Sequence, residues 1–343
     1  MAQLARPGKR LALRLQAVIL WRRPDGMSNQ ALIVAGPTGS GKSALALALA
    51  QRLGGSVINA DSMQVYRELR VVTARPTPAD EALAPHLLYG VRPAAAPGSA
   101  AWWRDAALDA MAAARDGGLL PILCGGTGLY LSALTRGIAP IPDPGADARD
   151  EARRLLAELG PAALHARLAA ADPGTAAGLR PVDSQRIARA WEVWRGTGQG
   201  LAAWHAVPAE PSPWAFRMIL LDPPRPELRA AIARRFGAML AAGALDEVAA
   251  LLALGLDPAL PAMRALGVPD LVAHLRGEID LTEAERRAVL ATGQYTKRQA
   301  TWFRHRGPVS STLTHTIHAR FAGREQFSER SWSDIEGFIS GPG

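Results

Sequence analysis

A phosphate-binding loop near the start of the chain constrains its fold more than any other feature. Residues 31–43 read ALIVAGPTGSGKS, an apolar run that leads into the pattern G-x-x-x-x-G-K-[ST]. This pattern binds phosphate where a strand precedes it and a helix follows, and the Ala/Leu-rich residues 43–53 have a helical composition. The stretch therefore predicts an α/β fold with a P-loop NTPase-like parallel sheet core.

The residue types of the loop explain why it binds phosphate. Gly36, Gly39 and Gly41 have no Cβ, so the backbone can curl with its amide hydrogens pointing inward at the positive end of the next helix. Lys42 adds a mobile positive charge, and the hydroxyl of Ser43 is suited to hold a Mg²⁺ ion shared with the phosphates. The alternative is a glycine-rich turn without a ligand. The pattern predicts two or more bound phosphates but not what is done to them.

Asp61 is the candidate reactive group next to this loop. It follows an apolar run, residues 56–60, that predicts a buried strand. Because ligands bind at the carboxyl ends of the strands in open α/β sheets, we expect Asp61 to lie beside the phosphate loop. Its alternative role is to cap a helix N-terminus, and the two roles are compatible.

A second glycine run argues against ordinary ATP hydrolysis. Residues 119–124 predict another strand, which ends in the sequence GGTG at residues 125–128. Nucleotide hydrolases usually carry a Mg²⁺-binding aspartate at the end of such a strand. This run contains no acidic residue, so the bound phosphates have a different fate.

The rest of the chain suggests a core with a helical insertion. Residues 143–213 are Ala/Arg/Leu-rich and helical in pattern, whereas residues 216–221 predict a return to the sheet. We therefore expect a basic and disordered extension at residues 1–29, a core with C-terminal helices at residues 30–142 and 214–306, a helical insertion at residues 143–213 and an irregular tail at residues 307–343. Further strands are expected at residues 87–91, and helices at residues 99–116 and 226–242.

Two helical faces carry basic residues whose role the pattern leaves open. Within the insertion, Arg186 and Arg189 share one face of a helix, which is either an RNA contact or an ordinary solvated face. Near the end of the core, Tyr295, Arg298 and Trp302 share a face that is either core packing around an arginine or a ligand contact.

Composition limits the compartment and the partners. The net charge is +8, but residues 1–26 hold six basic residues against one acidic residue, so the charge of the body is weak evidence for nucleic acid binding. The single cysteine, Cys124, excludes a disulfide framework and suggests a buried thiol in a reducing, cytoplasmic compartment. No apolar segment approaches the length of a membrane span. The seven histidines are scattered, and no zinc site is expected. Met27 is a possible true start of the chain.

Eight collinear blocks carry a family resemblance. They read GPTGSGKS, NADSMQVY, TARPT, GGTGLYLSAL, DSQRIARAWEVWRGTG, LDPPR, MRALG and KRQATWFR, and they extend from about residue 31 to residue 306. In sequence, order and spacing the chain resembles the bacterial tRNA dimethylallyltransferases, also called tRNA isopentenyltransferases. The resemblance implies transfer of a dimethylallyl group from dimethylallyl diphosphate to N6 of the adenosine 3′-adjacent to the anticodon, by a cytoplasmic monomer that uses Mg²⁺.

The resemblance also implies that the core is catalytic, that the helical insertion at residues 143–213 binds tRNA, and that particular residues have defined roles. Thr38, Lys42 and Arg225 would neutralise charge on the departing diphosphate, and Asp61 would orient the adenine amine and take its proton. The residues expected to bind the diphosphate are Gly36, Pro37, Thr38, Gly39, Ser40, Gly41, Lys42 and Ser43. The residues expected to bind the extruded base or the rest of the tRNA are Asp61, Ser62, Met63, Gln64, Thr127, Arg149, Gln185, Arg186, Ile187, Ala188, Arg189 and Arg264.

Two positions depart from the family pattern. Val72 stands where a glycine usually precedes the TARP element, which bears on local loop geometry. Gly293 stands where an arginine commonly precedes the sequence QYTKRQ, which removes a phosphate contact or a structural ion pair.

Other functions share part of the pattern. A P-loop small-molecule kinase would bind ATP in the same loop, but it predicts a compact chain with a short lid. A prenyltransferase acting on free adenine nucleotides would not need a long RNA-gripping insertion. A non-enzymatic RNA-binding module leaves the phosphate loop beside Asp61 without a purpose.

Overall fold

The sheet is parallel throughout and carries the phosphate loop near its centre. The computed structural model describes residues 29–341, so the expected extension at residues 1–29 lies almost wholly outside the described residues. The described strands are β1 (Gln30–Ala35), β2 (Gly55–Asn59), β3 (His86–Leu87), β4 (Leu120–Gly125), β5 (Ala215–Leu221) and β6 (Thr314–Ile317). Their order across the sheet is β3-β2-β4-β1-β5-β6. Strands β1, β2 and β4 are almost continuously buried, as expected for central strands of a sheet covered on both faces.

The connections between strands are mostly helical. The described α-helices are α1 (Lys42–Leu53), α2 (Pro78–Leu83), α3 (Ala100–Asp116), α4 (Gly128–Arg136), α5 (Ala146–Ala171), α6 (Pro173–Ala176), α7 (Ser184–Thr197), α8 (Leu201–His205), α9 (Arg225–Ala241), α10 (Ala244–Ala253), α11 (Val268–Leu275), α12 (Leu281–Arg306) and α13 (Glu329–Ser340). Short 3₁₀ turns occur at Pro261–Arg264, Ser311–Leu313 and Arg324–Gln326. Helix α3 begins where the sequence predicts, because the Ser99 hydroxyl caps its N-terminus by accepting from the Trp102 amide at 3.1 Å.

Strand β3 is shorter than the sequence predicts. We expected a strand over residues 87–91, but β3 ends at Leu87. Leu88 adopts a positive φ of 63° and Gly90 one of 59°, so the extended backbone cannot continue. The side chain of Asn59 holds this bend by donating to the Leu88 carbonyl at 3.1 Å.

The expectation of an irregular tail after residue 306 is wrong. The segment forms the sixth strand, in which Thr314 pairs with Met218 of β5, and it ends in helix α13. The buried residues Trp332, Ile335 and Ile339 recur at helical spacing, so an amphipathic pattern was present in the sequence. A four-residue strand and a single short helix give a weak signal, which proline and glycine residues around them conceal.

The chain divides into two compact units. The described part of the first comprises residues 29–132 and 213–341, and the second is Ala133–Ser212. In the first unit, α1, β1, β4 and the C-terminal helix α13 share one apolar core. In the second, α5 packs against α7 through a core centred on Leu164, Leu168 and Ile187. Helix α5 is interrupted at Gly160, whose φ of 74° is not helical.

Among the described helices, no single one is long and apolar enough to cross a membrane. One bent pair, α9 with α10 at 67°, passes the same test of length and composition together.

Candidate functional site

The phosphate loop has the geometry of an anion cradle. Gly39 and Gly41 have φ values of 87° and 90°, which L side chains rarely adopt. Gly41 is the N-cap of α1, no side chain caps the helix, and its first turn holds no acidic residue. The amides of the first helical turn therefore remain available to an anion.

Lys42 and Ser43 follow the cradle directly. Lys42 is buried, and burial lowers the pKa of its ammonium group, while attraction by Asp61 opposes that change. Ser43 is exposed at the start of α1. Burial raises the pKa of Cys124 to about 11, so the thiol is neutral and unreactive near neutral pH.

Asp61 lies in a rigid turn after β2 and does not cap a helix. Its amide donates to Asn59 Oδ1 at 2.8 Å, and the Asn59 amide group donates back to the Asp61 carbonyl at 3.0 Å. Asp61 Oδ1 accepts from the Met63 amide at 2.9 Å. Among the described residues, Oδ2 has no hydrogen bond of its own, so half of the carboxylate can face a ligand.

The glycine run after β4 packs directly against this turn. A Cβ on Gly125 would overlap the backbone of Ala60, so the two loops can approach this closely only because position 125 is glycine. The hydroxyl of Thr127 accepts from the Ser62 amide at 3.0 Å. The predicted base-binding residues Ser62 and Thr127 are thereby brought together with Asp61.

Gln299 ties the two glycine loops together. Its Oε1 accepts from the amide and the hydroxyl of Thr38 at 2.9 and 3.1 Å. Its Nε2 donates to the Gly126 carbonyl at 2.9 Å. The Gln299 side chain is buried, and its bonds hold the two loops together. Gln299 lies 261 residues after Thr38 in the sequence. The sequence block KRQATWFR contains Gln299, but spacing alone gave it no role.

A cavity of about 300 Å³ lies between the phosphate loop and Asp61. Its polar wall includes Thr38, Asp61, Arg235, Tyr295 and Arg298. Much of the remaining wall is apolar, and its apolar residues include Val72, Ile232, Phe236, Met239, Ala265 and Leu266. A pocket that is mostly apolar and has a few convergent polar groups is the usual form of a small-molecule site.

Arg235 is a site residue that sequence analysis did not identify, and Tyr295 is one that it left open between core packing and ligand contact. Burial lowers the pKa of Arg235 while Asp61 opposes the shift, and the guanidinium remains charged. Its Nη2 donates to the Thr73 carbonyl at 3.2 Å. Burial and the charge of Asp61 raise the pKa of Tyr295 to about 12, so its hydroxyl is a neutral donor.

The structure does not bring Arg225 to this cavity. Arg225 begins α9, is exposed and lines a second cavity of about 840 Å³ beside Asp222, Lys297 and Arg304. Ten residues further along α9, it is Arg235 that reaches the wall beside Thr38 and Asp61. Arg225 and Arg235 lie on the same helix, and residue type alone does not show which of them faces the cavity.

The other core residues of the prediction take different positions. Ser62, Met63 and Arg264 line the cavity, whereas Gln64 does not. The Gln64 side chain is buried and donates to the carbonyls of Thr73 and Ala74 at 2.9 Å, so it holds the TARP loop in place.

The helical face that contains Tyr295 serves both as a cavity wall and as a packing surface, the two alternatives that the sequence left open. Tyr295 and Arg298 line the cavity, and the Arg298 guanidinium lies 5.4 Å from the Tyr295 ring centroid. Trp302 instead packs on Gly128, where a Cβ would overlap the indole.

In the second unit, only some of the residues predicted to contact RNA are exposed. Gln185, Arg186 and Arg189 are exposed on α7, whereas Ile187 is buried in the core and Ala188 is half-buried. Arg186 pairs with Asp183 at 3.6 Å, and Arg189 pairs with Glu192 at 2.5 Å. Arg149, near the start of α5, is half-buried and pairs with Asp143; the amide of Gly145 and this arginine lower the pKa of the Asp143 carboxyl. Basic side chains on this surface are accessible to a polyanion, but Ile187 serves packing.

Ser43 is the one predicted metal ligand, and its chemistry fits a weakly held Mg²⁺. Within residues 29–341 no group of three or more His, Cys, Asp or Glu side chains could hold a metal ion. Mg²⁺ commonly keeps several waters and takes its remaining ligands from phosphate oxygens. An exposed hydroxyl at the mouth of the cradle suits that coordination.

The structure accommodates both departures from the family pattern without a steric conflict. Val72 is buried and is absent from the non-glycine residues with positive φ, which among the described residues are Ala74 and Leu88. Its amide donates to Glu247 Oε1 at 2.9 Å, which fixes the loop without a glycine. Gly293 lies within α12, and no atom lies within 4 Å of the position that its Cβ would take.

Comparisons with known proteins are consistent with this geometry. The chain matches the family described as "IPP transferase" over residues 64–306 and that described as "Isopentenyl transferase" over residues 29–84. A tRNA dimethylallyltransferase of Granulibacter bethesdensis is 64% identical over 311 residues, which cover 90% of this chain and 98% of the relative. One from Acidiphilium cryptum is also 64% identical, over 310 residues that cover 90% of this chain and 94% of the relative. The crystal structure of a tRNA isopentenylpyrophosphate transferase from Bacillus halodurans superposes with a TM-score of 0.64 at 30% identity, covering 91% of this chain and 97% of that one.

Proposed function

This chain belongs to the IPP transferase family of tRNA-modifying prenyltransferases, and from that premise we propose that it moves a dimethylallyl group from dimethylallyl diphosphate to N6 of the adenosine 3′-adjacent to the anticodon. One observation carries the proposal: the phosphate cradle and a carboxylate with a free oxygen open onto the same cavity, through Thr38 and Asp61. A leaving group and a base are thus held on two sides of one small space.

The cradle acts on the donor. Diphosphate oxygens accept from the loop amides and from Lys42, which stabilises the charge that grows as the carbon–oxygen bond breaks. Arg235 adds a fixed guanidinium to the cavity wall, where a planar fork can hold two oxygens at once. The apolar wall formed by Ile232, Phe236 and Met239 suits the hydrocarbon part of the donor.

Asp61 acts on the acceptor. The exocyclic amine of adenine is a poor nucleophile because its lone pair is delocalised into the ring. Asp61 Oδ2 accepts a hydrogen from that amine, orients it, and takes the proton as nitrogen bonds to the prenyl carbon and diphosphate leaves. The bond from Oδ1 to the Met63 amide holds the carboxylate in position during this step.

Ser43 would hold Mg²⁺ together with the diphosphate oxygens. Bound there, the ion supplies positive charge that makes diphosphate a better leaving group.

A tRNA acceptor also explains the helical insertion. The exposed arginines of α7 and Arg149 of α5 present positive charge that can pair with the phosphate backbone. Arg264 and Arg298 in the cavity wall can stack on or pair with an extruded base, since guanidinium groups do both. We propose that the enzyme acts as a cytoplasmic monomer on this substrate.

Labelled dimethylallyl diphosphate tests the proposal. With unmodified tRNA as acceptor, label should enter the adenosine next to the anticodon, whereas AMP as acceptor should remain unlabelled. Arg235→Met should lower the rate by roughly 10²- to 10³-fold, the usual effect of losing one preorganised donor, while the exposed neighbour Arg234→Met should change it little. Labelling of AMP in preference to tRNA would instead assign the site to free nucleotides.

A further inference from the structure

The C-terminal segment reaches back to the phosphate loop. After β6 the chain passes over α1, where Arg320 Nε donates to the Gly39 carbonyl at 2.9 Å. The next amide, that of Phe321, donates to the Ser40 carbonyl at 2.9 Å. Two successive residues of the tail thus hold two successive carbonyls of the loop.

These bonds fix the directions in which the loop amides point. In a planar trans peptide, the carbonyl and the following N–H point in opposite directions. The bond to the Ser40 carbonyl therefore directs the Gly41 N–H away from Phe321. In the same way, Arg320 fixes the Gly39–Ser40 peptide plane, whose N–H donates to the Pro37 carbonyl at 3.2 Å and closes the turn of the loop. The Gly41 N–H thus faces the side of the loop opposite the tail, where an anion can accept from it.

The tail itself is firmly anchored. Phe321 is buried and packs against Phe327 and Trp332, with ring centroids 5.3 and 6.2 Å apart. On α13, Glu336 pairs with Arg52 of α1 at 2.6 Å, and Arg52 lies 4.9 Å from the Trp332 ring centroid. The tail and the helix that follows the loop therefore share one packed core.

A side-chain brace holds the turn at Arg320. Gln326 Nε2 donates to the Arg320 carbonyl at 2.8 Å, and its Oε1 accepts from the Ala322 amide at 2.7 Å. The contact with the loop is also close, since a Cβ on Gly41 would overlap the Phe321 carbonyl. The loop cannot change shape here without displacing the tail.

We propose that residues 320–341, here called the C-terminal clasp, preorganise the phosphate loop for diphosphate, with Arg320 and Phe321 as positioning residues. The inference rests on the proposed function for the identity of the ligand. It assigns a role in donor binding to a segment that lies outside every sequence motif of the chain.

The test uses the full chain with Arg320→Met, which keeps an apolar stem and removes the donor to Gly39. Calorimetry with inorganic diphosphate and steady-state kinetics with both substrates measure the effect. Loss of one hydrogen bond that orients a loop should weaken diphosphate binding and raise KM for the donor by roughly five- to tenfold, with KM for tRNA unchanged. Hydrogen exchange of the amides at residues 39–42 should quicken in the protein without ligand.

Two further variants make the test specific. Arg320→Lys retains a donor and should restore at least half of the lost affinity. Arg324→Met, an exposed arginine in the same segment, should match the wild type. Equal diphosphate affinity in Arg320→Met and the wild type would overturn the proposal, as would an equal rise in both KM values. If the wild type binds diphosphate but transfers no prenyl group, the proposed function fails while the clasp can still be judged on diphosphate affinity.

Discussion

Asp61 has one oxygen committed to its own turn and one available to a ligand, and this division defines its expected role. Asp61→Asn preserves the hydrogen bond from the Met63 amide but removes the base. We expect the rate of prenyl transfer to fall by roughly 10²- to 10⁴-fold, the usual range for a general base, with tRNA affinity nearly unchanged. Single-turnover kinetics and filter binding measure the two quantities. A variant that keeps most of the rate would exclude Asp61 as the base.

Lys42 gives the site a pH dependence. Burial lowers the pKa of its ammonium group below the ordinary 10.5, so in the free protein it loses its proton at a lower pH than an exposed lysine does. Diphosphate prefers the charged form. Its Kd should therefore rise with pH, by up to about tenfold per pH unit, once the pH exceeds the lowered pKa of Lys42. Lys42→Arg keeps its charge and should lack this alkaline rise; an identical rise in that variant would assign it to another group.

At the scale of single residues, the sequence located those positions whose place in the fold depends on their immediate neighbours in the chain. Asp61 was found because it directly follows a strand at the binding edge of a parallel sheet. Arg235 and Gln299 were not assigned, because each lies within a helix and reaches the site through tertiary packing. Only the fold reveals that Gln299 meets Thr38 and that Arg225 does not.

Helix α12 contains a glycine that its fold does not require. Gly293 lies within the helix, and a Cβ there meets no atom within 4 Å. Gly293→Ala should stabilise the protein by about 1 kcal/mol through helix propensity and raise Tm by a few degrees. Gly55→Ala is the opposing control, since its Cβ would lie 2.6 Å from Ile122 Cδ1 and should lower Tm. Calorimetric melting decides; a lower Tm for Gly293→Ala would show that the position needs glycine.

Helix α7 carries the exposed charges expected to meet tRNA. Arg186→Ala with Arg189→Ala should weaken tRNA binding and reduce the slope of log affinity against log salt by about 1 to 2, one for each lost phosphate contact. Arg154→Ala on α5 removes another exposed arginine that pairs with a carboxylate, Glu158, and should change the slope less. An unaltered slope in the double variant would make this face an ordinary solvated one.

At the scale of elements, predictions held where periodicity was long. The phosphate loop, β4 and the capped helix α3 were all located within a residue or two. Strand β3 was overextended because the left-handed turn at Leu88 has no signature in the sequence. The tail was missed because β6 is stabilised by pairing with β5, a contact almost a hundred residues away along the chain.

For the whole molecule, the phosphate loop predicted the α/β class correctly, because the sheet must place a strand and a helix on either side of it. The sequence also indicated a helical insertion, and the second unit consists of helices packed on their own core. Its role in binding tRNA stays a prediction. The cavity could not be predicted from the sequence, because the residues that line it are spread along the chain from Thr38 to Arg298.

The basic residues before Met27 lie outside the described structure, and their contribution is tested by removal. A chain that begins at Met27 loses six basic residues and should keep its full transfer rate and tRNA affinity. Transfer assays at two salt concentrations compare it with the full chain. A KM for tRNA that is raised at low salt, with a difference from the full chain that shrinks as salt increases, would make these residues part of the RNA-binding surface.

The central claim is that the cradle holds a departing diphosphate while Asp61 readies an amine to replace it. Dimethylallyl diphosphate labelled separately in its prenyl and phosphate parts tests this most directly, with tRNA as acceptor. Diphosphate release should depend on tRNA, match prenyl incorporation one for one, and fall together with it in Asp61→Asn. Intact donor in the presence of tRNA, together with transfer of the terminal phosphate of ATP to a small metabolite, would contradict the account.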